Sequence, residues 1–242
     1  MSILKDSAAS ASVPDWCRKY FSAELTHLDK ELTELNDEVR QLQNRIKDVE
    51  GRTTLTKGLR NILLTASGDD LVDACGKIFA MMGWKVRVSD EDKLELKMEA
   101  EDKSVCIARV VWTEKEPDRS HLGQLSISQT RYWCEVGVEP KGILIIARAG
   151  DQSNIPSAGE YAHELSDYAS KKNVCLMSTV QLLACYKEVF LHDGSPDKVR
   201  ATMSESSGWL PGFHLEPGSS ADPDKHESSS GGKATLSSLL SA

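Results

Sequence analysis

A chain of 242 residues with 40% hydrophobic and 27% charged residues has room for one ordinary domain plus accessories, and its balance is that of a globular protein. No apolar run reaches the length of a membrane span, and Met1 to Pro14 has no apolar segment of the kind a secretory signal carries, so a cytoplasmic protein is expected. The formal charge of −8 is uneven: residues 61–213 hold 17 basic against 23 acidic groups, which disfavours nucleic acid as the main partner, although a local basic stripe would be compatible with it.

Residues 1–14 read as a flexible N-terminus. From Phe21 onward the pattern becomes regular, with Leu25, Leu28, Leu32, Leu35, Val39, Leu42, Ile46 and Val49 separated by alternating gaps of three and four. That spacing averages 3.5 residues, which keeps one stripe against a partner helix only if the two supercoil left-handedly. Two apolar positions per heptad make a narrower stripe than a helix lying on its own domain usually has. The stretch is therefore expected to be a coiled coil of roughly 43 Å, a dimer as first choice, with branched residues at two of the a positions pointing to parallel strands. The flanking charges do not decide the matter, since Arg45 would meet Glu50 of a parallel partner while Glu24 would meet Asp29; antiparallel pairing and trimers stay open. Gly51 ends the strict stripe. A second helical pattern through Leu55, Leu59, Ile62 and Leu63 either continues the stalk or packs against the next domain, so residues 15–66 form the coiled coil and its connecting helix.

Residues 69–213 read as an α/β domain. Asp69 or Asp70 is expected to cap a helix whose apolar side is Leu71, Val72, Cys75, Ile78, Phe79 and Met82, stopped by Gly83. Three strands should come after it at Trp84–Val88, Leu94–Met98 and Val105–Trp112, then a helix over Leu122–Cys134. Next come an apolar strand at Gly142–Ala147, a helix over Ser157–Lys171 and a strand at Val174–Met177. Helices at Thr179–Leu191 and Pro196–Met203 close the domain. Short apolar strands alternating with helices imply a sheet covered on both faces. The six cysteines, Cys17, Cys75, Cys106, Cys134, Cys175 and Cys185, have no metal-ligand spacing and read as reduced core residues.

This order, together with Cys75-Gly76-Lys77-Ile78-Phe79-Ala80-Met81-Met82-Gly83-Trp84-Lys85-Val86-Arg87-Val88 as an opening helix and entry into the first strand, resembles the restriction-endonuclease-like PD-(D/E)xK superfamily. Pro140-Lys141-Gly142-Ile143-Leu144-Ile145 is similar to the strand after that family's motif helix, and Ser178-Thr179-Val180-Gln181-Leu182-Leu183 to its closing segment. The resemblance covers about residues 69–205. It implies a mixed sheet flanked by helices, behind a long coiled-coil helix.

The resemblance also implies a site: a carboxylate at the start of the second strand and (D/E)-x-K on the third, the acids holding a divalent metal and the lysine polarising its water. The second strand is preceded by Asp90-Glu91-Asp92. The third carries Ala108-Arg109-Val110 where an acid and a lysine would be, so the resemblance implies a catalytically empty domain that needs no metal. Arg109 beside Asp92 would pair with it in the metal's place. Glu95-Leu96-Lys97 is literally E-x-K but falls on the second strand, where Glu95, Lys97 and Glu99 share one face and are expected to be solvated. The alternative is a Mg²⁺-dependent nuclease using Asp92, Glu95 and Lys97, with Asp73 or Asp90 contributing if the strand count is off by one. Gln124 matches the glutamine often found on that family's motif helix. His121, His163 and His192 have no evident partners, and Ser126 and Ser178 lack a nucleophile elbow.

Beyond Phe213 the composition turns to Pro, Gly, Ser and Asp, and residues 214–242 read as a flexible tail. Its last residues, with Leu236, Leu239 and Leu240, are a candidate docking peptide. The expected function is a scaffold or adaptor that associates with itself and with another protein, without entering a membrane.

Overall fold

The computed structural model describes residues 16, 19–20, 22–114, 117–148 and 161–215. The proposed docking leucines of the tail, residues 1–14 and the start of the helix expected from Ser157 lie outside them. The chain divides into two units, Met1–Lys57 and Gly58–Ala242. Among the described residues no helix is long and apolar enough to cross a membrane.

The first unit is built on α1 (Ser22–Thr65), whose last turns belong to the second unit. Its sequence is rich in Leu, Glu, Lys, Arg and Gln, which lose little side-chain freedom in a helix. Thr26 and Thr33 point their hydroxyls back to the carbonyls of Ser22 and Asp29, at 2.7 and 2.8 Å. The helix does not break at Gly51. The eight heptad residues are all exposed, between 50% for Val39 and Val49 and 59% for Leu32.

The second unit begins with the end of α1, where Leu59 and Leu63 are buried in the α/β core with Ile62 packed against it. The second helical pattern therefore packs on the domain. Then come α2 (Asp69–Met81), β1 (Lys85–Val88), β2 (Glu95–Glu99), β3 (Val105–Thr113), α3 (Arg119–Val136), β4 (Lys141–Arg148), α4 (Tyr161–Lys171), β5 (Val174–Ser178), α5 (Thr179–Leu191), α6 (Pro196–Glu205) and β6 (Gly208–Trp209). The strands form one mixed sheet in chain order. β1, β2 and β3 are antiparallel neighbours, joined by short acidic loops at 89–94 and 100–104. β3, β4, β5 and β6 are parallel, as helical connections require.

Alternation along the strands supplies two cores. Cys106, Ala108, Val110, Ile143, Ile145, Cys175 and Met177 pack with α2, α5 and α6. Ile107, Val111, Leu144, Ile146 and Leu176 pack with Leu122 and Leu125 of α3 and Leu165 and Ala169 of α4. The sheet is covered on both faces, as its apolar strands imply.

Three expectations need correction. Neither Asp69 nor Asp70 caps α2: the cap position is Gly68, with no side-chain bond and φ of 66°, and the two aspartates sit in the first turn where a carboxylate favours the helix dipole. Cys134 is exposed on α3, so not every described cysteine is a core residue, although Cys75, Cys106, Cys175 and Cys185 are. The domain extends past Phe213, since Leu215 also packs on the first core. Strand β6 was not expected. It adds Gly208 and Trp209 beside Cys175 and Leu176.

Candidate functional site

The register of β2 against β3 sets Glu95 directly across from Arg109. Arg109 is an odd-numbered residue of β3, like Ile107 and Val111, so it projects to the face covered by α3. Its Nη1 donates to Asp92 Oδ2 at 2.6 Å and to Glu95 Oε1 at 2.7 Å. Ser128, on the third turn of α3, donates its hydroxyl to the same Glu95 oxygen at 2.7 Å. One guanidinium nitrogen is thus held between two carboxylates, under a helix that adds a hydroxyl.

Both charged side chains at the centre are out of water: Arg109 is 8% exposed at its side chain and Glu95 4%, while Asp92 keeps 35%. The solvated face expected for Glu95, Lys97 and Glu99 is therefore wrong at Glu95 and right at Glu99. Lys97 is half-buried. The reason is local. α3 lies over the start of β2, and Arg109 supplies the charge that makes a buried carboxylate tolerable. Asp92 is fixed on its other oxygen by the Leu94 N–H at 2.9 Å. Burial pushes its carboxyl upward, but the Leu94 N–H and the hydrogen bond and charge of Arg109 outweigh that and hold it below the ordinary aspartate range. Arg109 Nε is buried without a hydrogen-bond partner. At the rim, Glu91 pairs with Arg131 of α3.

The strand count inferred from the sequence stands: the literal Glu95-Leu96-Lys97 lies on the second strand, and the third has neither acid nor lysine. Lys141 does not supply the missing lysine. It lies opposite Cys106, on the far face of the sheet, where its Nζ donates to Asn173 Oδ1 at 2.6 Å and burial pushes its amine down. Asp73 is on α2 and Asp90 lies outside the ion-pair cluster.

The glutamine that reaches the sheet from α3 is Gln129, not Gln124. Gln124 is exposed, whereas Gln129 is buried and donates to the carbonyl of Pro140 at 3.0 Å. A Cβ on Gly142 would come within 2.9 Å of the Gln129 Nε2, so the glycine makes room for this contact. Leu122, Leu125 and Gln129 share the inward side of α3, a spacing that also brings Ser128 toward the sheet. That spacing was the signal for Ser128. Of the other polar candidates, Ser178 caps α5 in a reciprocal box with Gln181, His121 completes the box at Asp118 on α3, and His192 lies 3.7 Å from Glu188.

A divalent cation would need the space between Asp92 and Glu95, and the residues present do not fit it, because Arg109 Nη1 fills that space and already balances one carboxylate charge. No group of three or more His, Cys, Asp or Glu among the described residues could hold a metal ion. Compared with known proteins, the chain matches no family model, no curated protein and no solved structure.

Proposed function

We propose that this protein is a non-catalytic scaffold or adaptor, built on a degenerate restriction-endonuclease-like domain and associating with itself through α1. The order α2, β1, β2, β3, α3, β4, α4, β5 is the one the resemblance requires, and the coiled-coil reading is supported by the exposure of all eight heptad residues. The observation that carries the loss of catalysis is Arg109. A nuclease of that superfamily gathers acids around a hydrated divalent ion, because its scissile phosphate needs a Lewis acid and an activated water. Here a fixed monovalent cation that cannot bind water as a nucleophile stands between the acids. The arrangement holds β2, β3 and α3 together instead of performing chemistry. Four unpaired buried thiols support a reducing, cytoplasmic setting, with a second copy and another protein as the partners.

The test is direct. Purified full-length protein should leave single- and double-stranded DNA and RNA intact with Mg²⁺ or Mn²⁺, and calorimetry should detect no tight Mn²⁺ binding. Cleavage that disappears in Glu95→Gln, Lys97→Ala would overturn the scaffold reading and make Asp92, Glu95 and Lys97 a working site. Glu95→Gln keeps a group able to accept from Arg109, so loss of activity there would not be loss of fold.

A further inference from the structure

The exposed stripe of α1 has sharp limits. Continuing its heptad beyond Val49 brings Thr53, Thr56 and Arg60 to the seam positions, so among the described residues the apolar seam runs from Leu25 to Val49. Its halves differ in shape: Leu25, Leu28, Leu32 and Leu35 are all leucine, whereas Val39, Ile46 and Val49 are three β-branched residues around Leu42. Its flanks differ in charge. On one side stand Glu24, Glu31 and Glu38, followed by Arg45 and Arg52; on the other stand Asp29, Asn36, Gln43 and Glu50.

We propose that α1 pairs with α1 of a second copy in antiparallel orientation, Leu25 facing the partner's Val49, Leu28 the partner's Ile46, Leu32 the partner's Leu42 and Leu35 the partner's Val39. The inference rests on the self-association proposed above and adds its geometry. All eight seam residues are used in this register. Three of its four kinds of layer set a leucine against a β-branched residue, which evens out the volume along the seam. In antiparallel pairs the flanking position before each a residue faces its own kind, so Glu24 meets the partner's Arg52 and Glu31 the partner's Arg45. The twofold axis repeats both, giving four attractive pairs against one repulsive pair, Glu38 with the partner's Glu38. On the other flank Asn36 meets the partner's Asn36 and Asp29 the partner's Gln43, without like charges. Parallel chains would set Glu24 against the partner's Asp29 and Arg45 against the partner's Glu50, two repulsive and two attractive pairs in all. Each exposed pair is weak, but orientation in coiled coils is decided by such differences, since the apolar seam is buried either way. The occupant that matches an acidic first half and a basic second half is the same helix reversed.

Spin labels on Thr26→Cys test this in the full chain, with Cys17 and Cys134 replaced by serine. Antiparallel chains bring Thr26 beside the partner's Asp48, so the labels should lie about 33 Å apart along the axis at 1.5 Å per residue. A distance under about 20 Å, two helix diameters, would overturn the orientation while leaving self-association in place. Absence of dipolar coupling together with a monomer mass would overturn both. Charge reversal gives an independent reading. Equal amounts of Glu31→Arg and Arg45→Glu should form mixed dimers beyond the statistical half of the population, because each reversal repairs the other only across antiparallel chains. A mixed fraction at the statistical half would overturn the proposal.

Discussion

Arg109 shows how much depends on one side chain. Its partners Asp92 and Glu95 come from the turn before β2 and from β2 itself, and Ser128 of α3 donates to the same Glu95 oxygen, so the cluster ties β3, the start of β2 and α3 together. Arg109→Ala would leave Glu95 buried beside Asp92 without a cation. Breaking a buried pair in this way costs about 3–5 kcal/mol, and a urea titration at pH 7 should read that loss as a lower midpoint. The acid limb should change too. The folded-state carboxyl of Asp92 is held below its ordinary range, so its contribution is present at neutral pH and is lost as pH falls below the ordinary aspartate range and through the folded value. Partial exposure of Asp92 makes this contribution modest. In Arg109→Ala the stability profile below about pH 5 should be flatter from this cause than in the unmodified chain. The pairing of Arg109 with Asp92 was legible from the sequence because Asp92 precedes the second strand and Arg109 sits mid-way along the third. The burial of Glu95 was not, since Glu95-Leu96-Lys97-Met98-Glu99 alternates as an amphipathic strand does. Only the position of α3 over one end of β2 separates Glu95 from Glu99.

Among the elements, those with long apolar periods were the most legible. α5 runs from Thr179 to Leu191 as its pattern implies, and β4 differs from expectation only by Lys141 and Arg148 at its ends. Lys141 joins the strand because Asn173 and Ser207 receive its amine at the domain's side, a partnership spread over distant segments of the chain. β6 could not be read, because two residues carry no period. It exists through Gly208, whose φ is +85° and whose absent Cβ would come within 2.7 Å of Ser166 Oγ on α4. Gly208→Ala should therefore cost about 1–3 kcal/mol from backbone strain and crowding. Thermal unfolding followed by near-ultraviolet dichroism of the tryptophans is the check, with an unchanged midpoint as the contrary result.

At the scale of the whole molecule, the heptad set the first unit apart from the second, and the structure adds where α1 changes character. Up to Lys57 its apolar residues face water; from Leu59 they belong to the α/β core. Leu35→Lys with Leu42→Lys would put charge into the middle of the seam. Light scattering should then report a monomer whose α/β domain unfolds at an unchanged temperature, since neither residue belongs to that core.

The exposed stripe of α1 also ties conformation to dilution. A helix in water without tertiary support is marginal, because propagation barely outweighs the entropy of each ordered residue. The turns anchored by Leu59 and Leu63 have such support within a single chain, whereas the heptad residues before Gly58 face water there and would gain it from the pairing proposed above. With pairing, the order of this segment becomes a mass-action quantity that rises with the amount of protein present. Expression level would then set how much of α1 is helical, and a cell holding little of the protein would contain folded domains trailing an unwound arm.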